Sequence, residues 1–383
     1  MKSKVLVFML AFLLESFAFA GTDMCSSLFL GPHASLKDAL HIRYDVILPD
    51  LPVNRQCSGT CHLESSISLL EGIAHQPISS EYSLMRLLQS RVQTFFENKS
   101  SSAQLNNLGY VDFLNAGASV KSTLHLLEKQ GILNRNQFTF SPEFRDHISS
   151  NRDLIEGLVK KSDGSRLSDL EIFNIEVGLY TAMAAQEIQA GRPPVQNGIP
   201  IKQKIDDLFK LAFSGVHGDP NASFKSDFPN GIKLIYWSPG GGGSNTALRR
   251  TLFKIGDTIA SGRNMSSLQF STSPHSLAEI EPEIRKSLDR GNAVQLGFVK
   301  NELLISADGI LREDPKDGVS PNDPRSGPHG ATITGYKLDE SGQIEWLLIR
   351  DSQGSSSYDH GYIHMHVDYF RRHVLGLVVP LLP

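Results

Sequence analysis

The chain has 383 residues, 40% of them hydrophobic and 20% charged, with a formal net charge of −4 at pH 7. That length accommodates two or three domain-sized pieces around real cores. The near balance of charge, with no basic patch and no acidic tail, argues against nucleic acid as a partner.

The N-terminus carries Lys2 and Lys4, an apolar run from Val5 to Leu14, and Ala18-Phe19-Ala20. This is the layout of a secretory signal peptide over residues 1–20, cleaved after Ala20. The run is shorter than the roughly 20 residues a membrane-spanning helix requires. The expectation is an exported protein, secreted or periplasmic, with no membrane span after cleavage. Cys25, Cys57 and Cys61 follow. An odd count leaves one thiol over in an oxidising compartment, and a Cys25–Cys57 disulfide is one pairing the sequence permits.

From Asp45 to Val53 the chain is extended and carries Pro49 and Pro52, then enters Asn54-Arg55-Gln56-Cys57-Ser58-Gly59-Thr60-Cys61-His62. Beyond it Leu63, Ile67, Leu70 and Ala74 recur at helical spacing, Leu69 and Ile73 widen the stripe, and Ser58 or Thr60 suits an N-cap. Cys61 is therefore expected at or just inside a helix N-terminus, where the positive dipole end and unpaired N–H groups stabilise a thiolate. Cys57, earlier in the turn, lacks that helix. Further helices are expected over Glu81–Glu97, Ser119–Gln130, Ser165–Ala190, Ile201–Phe213 and Thr246–Ile259. Between the last two lie a turn-rich stretch, Gly215–Asn230, and a short strand, Lys233–Trp237. The run Pro239-Gly240-Gly241-Gly242-Gly243-Ser244 lacks the Gly-Lys-Ser/Thr ending of a phosphate-binding loop and reads as a flexible connection.

From about Ala293 the pattern turns to short runs of β-formers: Ala293–Val299, Ala331–Leu338, Glu345–Arg350, Gly361–Val367 and Leu375–Leu382. Helices first and strands later argue for an α+β protein of two lobes. His329, in Gly327-Pro328-His329-Gly330-Ala331-Thr332-Ile333-Thr334-Gly335-Tyr336, enters a strand between glycines that leave room for a neighbour, as a base facing a cleft requires. Asp351, at the end of the Trp346–Arg350 strand, is placed to accept the second ring N–H of that histidine. His364 and His366 would share a strand face, but His360, His364, His366 and His373 lack a cysteine or carboxylate arranged to complete a metal-ligand set, so no cofactor is expected.

These segments resemble the papain-like cysteine peptidases. Cys61 with its glycine-containing turn looks like that family's nucleophile segment. His329-Gly-Ala-Thr-Ile-Thr-Gly-Tyr resembles its histidine segment, Trp346 through Gly354 resembles its Trp-x-Ile-x-Asn-Ser-Trp-Gly segment, and Gly361-Tyr362-Ile363 matches the strand that follows. Weaker echoes occur at Ile78–Tyr82, Gly117–Ile132 and Leu288–Phe298. The resemblance covers roughly Pro49–Ile132 and Arg285–Val379. It implies Cys61 as nucleophile, His329 as general acid and base, Asp351 in place of the orienting asparagine, and Gln56 as oxyanion donor. Gln56 lies five residues before Cys61 where the family's glutamine lies six before, and Arg55 occupies that place. His62 stands for the family's tryptophan, Gln353 for its shielding tryptophan and Glu64 for an aromatic; a carboxylate one turn from Cys61 opposes a thiolate unless something neutralises it.

The family's histidine usually follows its cysteine by about 130–150 residues. The gap here is nearly twice that, which implies an insertion. The expected organisation is a helical lobe with the nucleophile helix over residues 21–133, a mostly helical insertion over 134–284, and an antiparallel β-rich lobe with His329 and Asp351 over 285–383. The implied activity is hydrolysis of peptide or protein substrates through a Cys61 thioester. A cysteine acyltransferase and an inactive peptide-binding pseudopeptidase remain open on sequence alone, as does the oligomeric state.

Overall fold

The computed structural model describes residues 40–48, 60–97, 120–158, 166–228, 231–239, 248–255, 277–313, 326–352 and 358–381. The signal-peptide segment, Cys25, Cys57, Gln56, Gln353 and the Gly240–Gly243 run lie outside the described residues.

The helices are α1 (Cys61–Ala74), α2 (Ser80–Glu97), α3 (Val120–Gln130), α4 (Pro142–Leu158), α5 (Asp169–Gln189), α6 (Ile201–Ala212), α7 (Pro220–Asp227), α8 (Leu277–Asp289) and α9 (Val367–His373). The strands are β1 (Val46–Ile47), β2 (Val195–Gln196), β3 (Ile199–Pro200), β4 (Ile232–Pro239), β5 (Leu248–Ile255), β6 (Val294–Asn301), β7 (Ile310–Leu311), β8 (Ser326–Leu338), β9 (Ile344–Arg350), β10 (Tyr362–His366) and β11 (Val374–Leu381). The main sheet runs β5-β4-β11-β6-β8-β9-β10-β7, with β1 added to β8. Its pairs are antiparallel except β10–β7. Among the described residues no helix is long and apolar enough to cross a membrane.

Among the described residues, the two larger of three hydrophobic cores mark the expected helical and β-rich lobes. The first gathers Leu63, Ile67 and Leu70 of α1 with Leu88, Phe144, Phe173 and Phe209 from the other helices. The second gathers Leu296, Phe298, Ala331, Ile333, Ile349 and Ile363 from the sheet with Ile280 and Ile284 of α8. Between them α1 is buried on nearly all sides. Its apolar stripe enters the helical core. Its serine-rich side meets the sheet, where Gln295 Nε2 donates to Ser65 Oγ at 2.8 Å and Ser66 Oγ at 3.0 Å. The alternation of side chains along a strand lets one sheet serve both layers: Gln295, Thr332 and Arg350 face α1, while Leu296, Phe298, Ala331 and Ile333 fill the second core.

Two expectations are corrected. The segment expected as a helix over Thr246–Ile259 is a strand from Leu248, paired with β4 from Ile232↔Ile255 to Pro239↔Leu248. Its apolar spacing (Leu248, Leu252, Phe253, Ile255) fits a helix as well as a strand, and the open edge of β4 decides between them. The turn-rich stretch Gly215–Asn230 contains α7. Pro220 occupies its first position, where a missing N–H costs nothing, and the Asp219 carboxylate accepts the Asn221 N–H at 2.9 Å. The long middle of the chain thus supplies helices to the first core and also two strands, β4 and β5, to the main sheet.

Candidate active site

Cys61 is the first residue of α1, preceded by Thr60. It is a free, half-buried thiol. Strand β8 passes directly over this helix end, and Gly330 makes the approach feasible. A Cβ at Gly330 would lie 3.0 Å from Ser65 Oγ and 3.2 Å from the Cys61 carbonyl oxygen. Its neighbour His329 is thereby held against the sulfur.

His329 Nε2 lies 2.6 Å from Asp351 Oδ1. That leaves Nδ1 as the ring nitrogen facing Cys61, with which the imidazole also hydrogen-bonds. The edge of His329 packs against Phe298, its cross-strand partner, with ring centroids 5.6 Å apart at 84°. Asp351 accepts two further hydrogen bonds: Oδ1 from the Ser352 N–H at 2.8 Å, and Oδ2 from Lys300 Nζ at 2.8 Å.

The electrostatics follow from these contacts. Burial would raise the Cys61 thiol, but hydrogen bonds from His329 and His62, the charge of His329 and the Gly330 N–H lower it to about 5. Burial would lower His329, but the charge of Asp351 and its hydrogen bonds to Asp351 and Cys61 raise it to about 9. Asp351 is driven well below the usual carboxylate range: burial opposes this, and the charges of His329 and Lys300 overcome it. Between those limits the stable state is a thiolate beside an imidazolium, the pairing that makes a cysteine strongly nucleophilic near neutrality.

The structure therefore brings Cys61, His329 and Asp351 together from the start of α1, from β8 and from the end of β9. Glu64, which sequence alone sets against a thiolate, is buried and accepts the Ser80 hydroxyl at 3.0 Å. It faces a small cavity that Arg350 also lines. His364, at the centre of the histidine cluster, is fully buried between the Tyr44 hydroxyl at 2.7 Å and Asp359 Oδ2 at 2.8 Å. His366 packs edge-on against Trp346.

Sequence reasoning missed two contributors. His62 hydrogen-bonds the Cys61 sulfur from the next position along the helix. Lys300 carries the second oxygen of Asp351. Its signal was present: Leu296, Phe298 and Lys300 fall on one strand face, and a lysine in phase with two core residues asks for a buried partner.

No protein-family model matches this sequence, and no curated protein does. Among solved structures, PepW from Lactobacillus rhamnosis HN001 superposes with a TM-score of 0.53 at 15% identity, over 91% of this chain and 84% of that one. The fold is papain-like. The helical lobe, with α1 at its centre, and the sheet lobe are those of that architecture, and extra helices form an insertion. Xylellain, a cysteine protease from Xylella fastidiosa, aligns at 13% identity and a TM-score of 0.40 over 96% of this chain and 100% of that one.

The close approach at Gly330 gives a direct check. Gly330→Ala places a methyl group against the Cys61 carbonyl and a serine already held by Gln295. The expected result is a loss of about 1–3 kcal/mol in chemical denaturation. Thiol reactivity of Cys61 should fall with it, because β8 carries His329.

Proposed function

We propose that this protein is a cysteine peptidase of the papain-like superfamily, with Cys61 as nucleophile, His329 as general acid and base, and Asp351 orienting the histidine. The observation that carries this reading is the convergence of a helix-N-terminal thiol, an imidazole and a buried carboxylate from three separate elements. The fold supports a peptidase-like chemistry in general, and the order of these groups supports the specific roles.

The Cys61 thiolate attacks the scissile carbonyl carbon and forms a tetrahedral oxyanion. The Cys61 backbone N–H, at the first position of α1 where the helix itself offers no acceptor, is the backbone donor for that charge, with Gln56 as the side-chain donor the family resemblance implies. His329 Nδ1 gives its proton to the leaving amine, which departs as the thioester forms. The now neutral imidazole takes a proton from water, which attacks the thioester, releases the acid product and restores the thiolate–imidazolium pair. Asp351 holds Nε2–H throughout and so fixes which nitrogen faces sulfur. The N-terminal leader pattern supports export, placing the substrates among extracytoplasmic peptides and proteins.

Alkylation by iodoacetamide at pH about 6, mapped peptide by peptide, tests the pair. An ordinary thiol titrates near 8.5 and reacts little there. Rapid labelling of Cys61, lost in His329→Ala, is expected together with cleavage of a fluorogenic peptide. Slow labelling in the folded protein would remove the activated thiol and leave a binding protein.

A further inference from the structure

Lys300 is a buried charge that the reaction above does not use. Its side chain is 5% exposed and that of Asp351 is fully buried. The ammonium binds Asp351 Oδ2 at 2.8 Å and lies 5.1 Å from the centre of the Tyr358 ring, whose hydroxyl it also hydrogen-bonds. The carboxylate thus bridges two cations, His329 on Oδ1 and Lys300 on Oδ2.

A buried row of thiolate, imidazolium, carboxylate and ammonium sums to zero charge, and a buried row left unbalanced is costly. Without Lys300 the whole charge of Asp351 falls on His329, and the imidazolium holds its proton too tightly to pass it to an amine. With Lys300 but without the carboxylate charge, an ammonium faces the imidazolium and expels that proton. We propose that Lys300 is a positioning residue that offsets part of the charge of Asp351, so that the carboxylate orients His329 and holds its proton without fixing it there. This rests on the peptidase reading. Burial would strip the proton from Lys300, but the charge of Asp351 and the contact with Tyr358 more than restore it, and its charge in turn draws His329 downward. Among the described residues, the titratable groups acting on the row from outside it include His62 on α1, Tyr358 after β9, and Glu302 just beyond β6, which acts on Tyr358.

The test follows the His329 imidazole by NMR in the full chain across pH, with Cys61 alkylation profiles beside it, and needs no substrate. Lys300→Met is expected to raise the His329 titration by about one pH unit or more, and Asp351→Asn to lower it by more than that. The double variant should lie between Asp351→Asn and the wild type, and Lys300→Arg should stay at the wild-type value. A His329 titration unmoved by Lys300→Met, or moved the same way as by Asp351→Asn, would reduce Lys300 to a packing role. Should Lys300→Met not fold alone, comparing Asp351→Asn with the double variant measures the same shift. Rapid acid-side labelling of wild-type Cys61 with no Lys300 effect overturns this inference alone; slow labelling of the wild type overturns the peptidase reading itself.

Discussion

On the peptidase reading proposed above, Cys61→Ala is expected to lower kcat/KM toward a peptide reporter by about a thousandfold or more, because a nucleophile and its base act as a unit. The wild-type pH profile gives the companion result. Cys61 titrates near 5 and His329 near 9. As pH falls through 5 the thiolate takes up a proton and the nucleophile is lost. As it rises through 9 the imidazolium loses the proton that the leaving amine requires. Activity should therefore form a bell with its plateau between these limits, read as kcat/KM against pH. A single rise centred near 8.5 would describe an ordinary thiol and contradict the ion pair. Residual activity in Cys61→Ala equal to the wild type would assign the cleavage to another nucleophile.

The second large effect lies one residue from the site and concerns stability. Arg350 and Glu71 join the sheet to α1 through Nη2 and Oε2 at 2.9 Å, with side chains 3% and 0% exposed. Glu71 Oε1 also accepts the Ile78 N–H at 3.0 Å. Arg350→Met strips a fully buried carboxylate of its nearest cation, and a loss of about 3–5 kcal/mol in denaturant unfolding is expected. Adding Glu71→Gln should recover most of it, since the amide oxygen still accepts from Ile78 and no buried carboxylate charge remains; the second cation near Glu71, Arg135 at 4.0 Å, is partly exposed to water. If the double variant is as unstable as the single, lost contacts rather than stranded charge set the cost.

Much of this was legible from residues alone. Period-3.6 apolar spacing after Cys61 marked α1, and β-formers between polar turns marked β6, β8, β9, β10 and β11, though not the short β7. His329 and Asp351 stood out because the pattern set the first between glycines at the entry to an expected strand and the second at the end of another, although β8 itself begins earlier, at Ser326. What stayed hidden was set by distant parts of the chain. Leu248–Ile255 has a spacing that serves two periods, and only the pairing offered by β4 chose one. Glu64 is buried and bonded to Ser80, which belongs to the next helix and lies outside any local pattern. Lys300 was one lysine in a strand until Asp351 arrived from β9. Local pattern records which face is apolar; it does not record what a buried charge will meet.

The place of β11 in the sheet governs the order in which the molecule can be completed. It lies between β4 and β6, so within the sheet the hairpin from the middle of the chain joins the strands that carry His329 and Asp351 only through this later segment. Pairings of such long sequence separation form slowly, because a large loop must close before they contribute. Cys61 is made early and its partners late. The polypeptide therefore passes through most of its synthesis with the thiol present and the machinery that would sharpen it still unassembled, so that reactivity is a property of the finished sheet.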